Sequence, residues 1–111
     1  MIVEDDVTSR NALRMILARA GWEVTAVATV ADALISLAHI PPNAVVLDLM
    51  LPDGDGVEVL RAIRSSGADA RVVIVTGMHD PARLRQVEDL KPDCILRKPI
   101  DLATLITHLR A

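Results

Sequence analysis

Asp48 closes the apolar run Val45-Val46-Leu47 and stands just before a Pro/Gly-rich loop, Pro52-Asp53-Gly54-Asp55-Gly56. A short apolar run closed by turn signals reads as a strand buried on both faces. A carboxylate at the C-terminal end of such a strand faces the crevice where open α/β sheets bind ligands. Taken alone, the segment fits equally well an aspartate that ends a strand and starts a turn. Three other strand ends weigh against that bland reading. Met1-Ile2-Val3 runs into Glu4-Asp5-Asp6, Val72-Val73-Ile74-Val75 into Thr76-Gly77, and Cys94-Ile95-Leu96 into Arg97-Lys98-Pro99. If the first and third strands are neighbours, Glu4, Asp5 and Asp48 repel one another, and a hard divalent cation relieves the conflict. A carboxylate in such a site can attack phosphorus. An ammonium and a hydroxyl beside it can then neutralise the oxygens of the transferred group. Each residue also has an ordinary explanation: acids that favour a helix N-terminus, a threonine suited to a strand, a solvated lysine.

The elements that must position these groups alternate along the chain, strand then helix, which argues for βαβ units and a parallel sheet. Ala12, Leu13, Ile16, Leu17 and Ala20 form the stripe of a first helix that Gly21 closes. Glu23 to Ala28 reads as a second strand. Thr29 is placed to cap a second helix, with Asp32 three residues on and Val30, Ala33, Leu34 and Leu37 as its apolar face. Pro41-Pro42-Asn43 stops that helix before the strand that ends at Asp48. Val57, Leu60 and Ile63 line a third helix; Leu102, Leu105, Ile106 and Leu109 line a fifth. The fourth is weak. Asp80 caps it and Pro81 takes its first position, but only Leu84, Val87 and Leu90 are large and apolar. A helix that buries little is easily moved. Right-handed crossovers then give a doubly wound three-layer sandwich of five strands and five helices.

A chain of 111 residues supports one domain with a real core. No apolar run approaches a membrane span and no signal peptide is visible. Cys94 is the only cysteine, which excludes an intramolecular disulfide and fits a cytoplasmic protein; it reads as a small buried hydrophobe. The net charge of −3, with no basic patch, argues against nucleic-acid binding by this domain alone. His39, His79 and His108 are too scattered for a metal set, and no Walker or dinucleotide loop occurs. Asp53 and Asp55 are best explained by turn formation, because the twelve-residue EF-hand pattern is missing.

The four strand ends, in this order, resemble the receiver domain of two-component response regulators, over essentially the whole chain from Val3 to Leu109. The resemblance implies a flavodoxin-like α/β fold with strand order 2-1-3-4-5. It implies that Asp48 accepts a phosphoryl group from a phosphohistidine donor, a sensor histidine kinase or phosphotransfer protein. Asp5 and Asp48 would ligate Mg²⁺ directly, Met50 through its backbone carbonyl and Glu4 through water. Thr76 and Lys98 would meet the phosphoryl oxygens, with the Lys98–Pro99 peptide cis. Asp6, one residue past the matched pair, is read as a helix-start residue. Such a domain assists its own phosphorylation and dephosphorylation but is not a turnover enzyme. It would signal to an output domain or form a homodimer through the face built by the fourth helix, fifth strand and fifth helix.

The chain departs from the family at two places. Receivers usually carry Tyr or Phe three residues before the lysine; here that residue is Ile95, and the chain has no Tyr or Phe at all. The Gly that normally closes the fourth helix is Lys91, followed by Pro92. Two rivals therefore stand beside the receiver reading: a pseudo-receiver that binds proteins without phosphorylation, and a Mg²⁺-dependent hydrolase of small phosphates. The short first strand at Met1 and the stop after the fifth helix suggest a domain, residues 1–111, cut from a longer protein, with a stand-alone receiver as the alternative. Trp22, the only aromatic residue, should lie at the sheet edge opposite the acids.

Overall fold

A computed structural model describes residues 1–67 and 69–110. In chain order the elements are β1 (Ile2–Val3), α1 (Val7–Arg19), β2 (Ala26–Val27), α2 (Val30–His39), β3 (Ala44–Asp48), β4 (Met50–Leu51), β5 (Gly54–Asp55), α3 (Gly56–Ser65), β6 (Arg71–Thr76), α4 (Pro81–Asp89), β7 (Cys94–Arg97) and α5 (Leu102–Arg110). Five parallel strands form the sheet β2-β1-β3-β6-β7, while β4 and β5 pair with each other as a small antiparallel hairpin. Because the hairpin takes two numbers, β6 and β7 are the fourth and fifth strands of the main sheet. Its order is thus the expected 2-1-3-4-5.

Side chains alternate across the strands and divide the core in two. Val45 and Leu47 of β3, with Val72 and Ile74 of β6, face Val30 and Ala33 of α2, Val57, Leu60 and Ile63 of α3, and Val87 of α4. Ala44, Val46, Val73 and Val75 face Leu13 and Leu17 of α1 and Leu105 and Leu109 of α5. All five residues of β3 are buried, as a central strand covered by helices on both faces must be. The acidic end of β3 is therefore held by a strand buried along its whole length.

The expected caps are in place: Thr29 Oγ1 accepts from Asp32 N–H (3.0 Å), and Asp80 Oδ1 from Ala82 N–H (3.0 Å) with Pro81 at the helix start. Gly21, at φ 98°, closes α1 in the left-handed region. Other expectations need correction, among them Leu34 and Leu102, which are exposed although expected on apolar helix faces. The second strand is Ala26–Val27 rather than Glu23–Ala28, because Ile2 and Val3 offer ladder partners only to Ala26 and Val27. The buried stripe of α1 is narrower than its sequence pattern: Leu13 and Leu17 are buried, Ile16 is half-buried and Ala12 is exposed. Cys94 is half-buried rather than buried, since β7 is an edge strand. Trp22 lines a cavity of about 420 Å³ with Met1, Asn43 and Ala44, at the start of the strands and away from the acids.

Candidate functional site

The chemistry-bearing residues gather where the parallel strands end. β3 delivers Asp48, which is 5% exposed, and β1 delivers Glu4, which is 4% exposed. Asp5 follows on the surface, and carboxylate oxygens of Glu4, Asp5 and Asp48 lie within 4.8 Å of one another. Lys98 reaches in from the segment after β7. Its Nζ donates to Asp48 Oδ2 at 2.8 Å and to Glu4 Oε1 at 3.0 Å. The Lys98–Pro99 peptide is cis.

The backbone around Asp48 is held as firmly as its side chain. Met50 N–H donates to Asp48 Oδ1 (3.1 Å), so Met50 enters the site through its peptide group while its side chain is 58% exposed. Gly56 N–H donates to the Leu49 carbonyl (2.9 Å). A Cβ at Gly56 would lie 2.3 Å from the Asp48 carbonyl oxygen and 2.8 Å from Leu49 Cα, so only glycine lets α3 begin this close to the strand. Thr76, fully buried, ends β6 one residue beyond Val75, which pairs with Asp48. Its Oγ1 accepts from Met78 N–H (2.9 Å), which leaves the hydroxyl proton unused by that bond. Its carbonyl accepts from Lys98 N–H (3.0 Å), tying the threonine and lysine segments together.

Electrostatics follows from this packing. Burial raises the Glu4 carboxyl above its ordinary value; the neighbouring Asp48 adds to the rise, and the Lys98 bond opposes it. For Lys98, burial alone would lower the ammonium, but the bonds and charges of Asp48 and Glu4 outweigh it and the net shift is upward. Three carboxylates converging on one point, two of them buried, are the donor set a hard, oxygen-seeking cation takes. The chemistry of these residues fits Mg²⁺.

Asp6 stands apart, as expected: it caps α1, with Oδ2 accepting from Ser9 N–H at 2.8 Å, and that bond lowers its carboxyl. Asp53 and Asp55 do more than shape a turn. Asp53 accepts from Val30 N–H (2.8 Å) and Ala31 N–H (3.0 Å), capping α2 from a loop far along the chain. Asp55 caps α3 through Val57 N–H (3.0 Å) and pairs with Arg83 of α4. Arg10 is a residue the motif reading passed over. Its guanidinium donates to the carbonyls of Glu4 (3.1 Å) and Asp5 (3.2 Å), fixing the backbone that presents both acids. A basic residue one turn into the helix after an acidic strand end is a signal that could have found it.

Comparisons with known proteins agree with the geometry. The family model described as response regulator receiver domain matches residues 1–110. Response regulator MprA of Mycobacterium sp. (strain KMS) is 35% identical over 111 residues, covering 100% of this chain and 48% of the relative. The chain thus spans about half the length of the curated relatives it matches. Among solved structures, a CheY-like response regulator receiver domain protein from Methanospirillum hungatei JF-1 superposes with a TM-score of 0.93 at 25% identity, over 98% of this chain and 87% of that one. A LuxR-family DNA-binding response regulator from Staphylococcus aureus gives 0.87 at 27% identity, over 98% and 92%. A family model spanning all but the last residue, on a sheet of matching order, places this chain in the response regulator receiver domain family of two-component signalling.

Proposed function

We propose that Asp48 is the phosphoacceptor of this receiver domain, taking its phosphoryl group from a phosphohistidine on a sensor histidine kinase or phosphotransfer protein. The observation that carries the reading is the Lys98 ammonium on Asp48 and Glu4, beside a third carboxylate, at the C-terminal end of a parallel sheet. Asp5 and Asp48 would hold Mg²⁺ directly, with the Met50 carbonyl, and Glu4 through a water. When bound, the ion supplies positive charge to one phosphoryl oxygen and relieves the repulsion among the acids.

This chain's own residues do the rest. A carboxylate oxygen of Asp48 attacks phosphorus; a P–O bond forms as the P–N bond breaks, and the electron pair of that bond returns to the imidazole. Asp48 is pre-aimed, since Met50 N–H holds one oxygen and Lys98 the other. Lys98, already charged and tethered between two acids, neutralises a second phosphoryl oxygen. Thr76 turns its unused hydroxyl proton to a third. Hydrolysis of the acyl phosphate resets the domain, so the protein is consumed and regenerated as a signal carrier rather than working as a turnover enzyme. The match to the receiver half of relatives about twice its length supports residues 1–111 as one receiver domain reporting to an output domain. Among the described residues, no helix is long and apolar enough to cross a membrane.

Phosphoramidate with Mg²⁺ should add one phosphoryl group, read by intact mass. Asp48→Asn should abolish the adduct with the fold intact by circular dichroism. Stoichiometric labelling that persists in Asp48→Asn would remove Asp48 from the role. A wild-type protein that never takes up phosphate would turn the reading to a protein-binding module.

A further inference from the structure

The β4–β5 hairpin is small, yet it fastens three helices next to the acceptor. Its turn carboxylate, Asp53, caps α2. Its last residue, Asp55, caps α3 through Oδ1 and forms an ion pair with Arg83 of α4 through Oδ2. The hairpin is in turn locked to the acceptor strand. Met50, which pairs with Asp55 across the hairpin, donates its N–H to the Asp48 carboxylate. Gly56, next to Asp55, packs on the Asp48 and Leu49 backbone with no room for a single methyl. Asp55 therefore cannot shift without disturbing Asp48. At the other end of the link, α4 has Val87 as its one fully buried side chain, so a charge contact at its first turn is a large share of what positions it.

We infer that the Asp55–Arg83 ion pair is a tether that couples occupancy of Asp48 to the position of α4, by a route through the β4–β5 hairpin and independent of residue 95. The inference rests on Asp48 being the acceptor. At residue 95 an isoleucine, half-buried against the same core, has no polar group to exchange between partners. The hairpin route needs none: Asp48 Oδ1 to Met50 N–H, Met50 to Asp55 across the ladder, Asp55 to Arg83. Arg83 is thus a positioning residue. The pair is partly exposed, 39% for Arg83 and 31% for Asp55, which sets its effect at a few-fold rather than orders of magnitude.

The test uses beryllofluoride with Mg²⁺ as the probe, and hydrogen exchange of amides 82–90 as the readout. Wild type, Arg83→Gln, Arg83→Lys and Asp55→Asn are compared; the asparagine keeps the acceptor for Val57 N–H while removing the charge. The quantity of interest is the change in α4 protection on adding the probe, which a merely structural contact would leave unaltered. In Arg83→Gln and Asp55→Asn that change should shrink by about threefold, and Arg83→Lys should restore most of it. By reciprocity the affinity for beryllofluoride should shift by a similar factor. Equal responses in wild type and Arg83→Gln, or a wild type that binds the probe with α4 unaltered, would overturn the tether and leave the acceptor intact. A wild type that takes up no beryllofluoride would overturn the acceptor reading and the tether with it.

Discussion

Helices α3 and α4 lie on the same face of the sheet, run for 10 and 9 residues, and each start from an aspartate cap, Asp55 and Asp80. They are held in different ways. α3 buries Val57, Val59, Leu60 and Ile63, whereas α4 buries Val87 alone, with Leu84 and Leu90 half-covered. A fully buried aliphatic side chain contributes about 1.5–3 kcal/mol, so α3 holds several times the apolar anchorage of α4. What α4 lacks in burial it gains in polar ties from its neighbour. Arg83 pairs with Asp55 at one end; at the other, Arg64 of α3 donates to the carbonyls of Leu90 (3.1 Å) and Lys91 (2.7 Å). Directional, partly solvated contacts can be exchanged one at a time, while buried methyl groups cannot. The side of the face that holds α3 and Asp48 is thus built to stay still, and α4 to shift at little cost.

The sharpest way to break this comparison is to truncate one buried side chain in each helix. Leu60→Ala should cost about 2–5 kcal/mol of global stability, measured by urea unfolding. Val87→Ala removes less apolar volume and should cost about 2 kcal/mol or less, with the loss concentrated in faster exchange of α4 amides. Equal costs with uniform loss of protection would show α4 to be part of the same cooperative unit as α3.

Gly56→Ala addresses the close contact that makes α3 a fixed partner of Asp48. In an ordinary helix the exchange of Gly for Ala is favourable by about 1 kcal/mol. Here the new Cβ would meet the Asp48 carbonyl oxygen at 2.3 Å, so the sign reverses and the variant should lose about 1–3 kcal/mol. Its amide spectrum should change most at Asp48, Leu49 and Met50. A stabilised variant with those resonances unmoved would refute the contact.

Lys91 probes the other end of the comparison. It is the one non-glycine residue with positive φ (53°) among the described residues, at the point where α4 ends. An L-residue there is strained by about 1–2 kcal/mol, and glycine's greater freedom in the unfolded chain takes back about 0.5–1. Lys91→Gly should therefore stabilise by about 0.5–1 kcal/mol, since the Lys91 carbonyl stays available to Arg64. The gain should appear as slower exchange at the C-terminal end of α4. Destabilisation would mean that the lysine side chain contributes more than its backbone costs.

How much of this was legible in the sequence depends on the range of each interaction. β3 with its terminal aspartate, the caps by Asp6, Thr29 and Asp80, and the sparse apolar face of α4 are written in adjacent residues, and all stand in the structure. The Gly21 closure was equally local. Asp53 capping α2 across 23 residues, and Arg64 serving the end of α4 across 26, were not legible. Nothing near an Asp in a Pro-Asp-Gly turn says which distant helix will rest on it. The length of β2 failed for the same reason, because a strand extends only as far as its neighbour's ladder. At the site, strand ends could be read from apolar runs, and their convergence followed from the resemblance. The Lys98 bridge and the Gly56 contact required coordinates.

The smallest expected effect concerns Asp53 and extends the comparison to α2, a helix that has a second cap from across the fold in addition to Thr29 before it, where α4 is capped by Asp80 before it. The N–H groups of Ala31 and Val30 hold the Asp53 carboxyl below its ordinary value. A carboxyl depressed in the folded state binds fewer protons there than in the unfolded chain. Its contribution to stability is fully present above the unfolded value, about pH 4, and is lost as pH falls through the lower folded value. Asp53→Asn keeps an oxygen acceptor but has no charge to titrate. Its stability should lie below wild type at neutral pH, and the gap should narrow as the solution is acidified. Because the carboxylate is exposed, the gap will be modest. The cap joins α2 to the hairpin, so the lost protection should fall on the first turn of α2 and leave α4 unaltered. Unfolding curves that stay parallel from about pH 6 down to about pH 3 would show that the cap does not depend on charge. Faster exchange in α4 as well would show the hairpin transmitting the loss from one helix to the other, and the two halves of the face would then be less separable than their packing suggests.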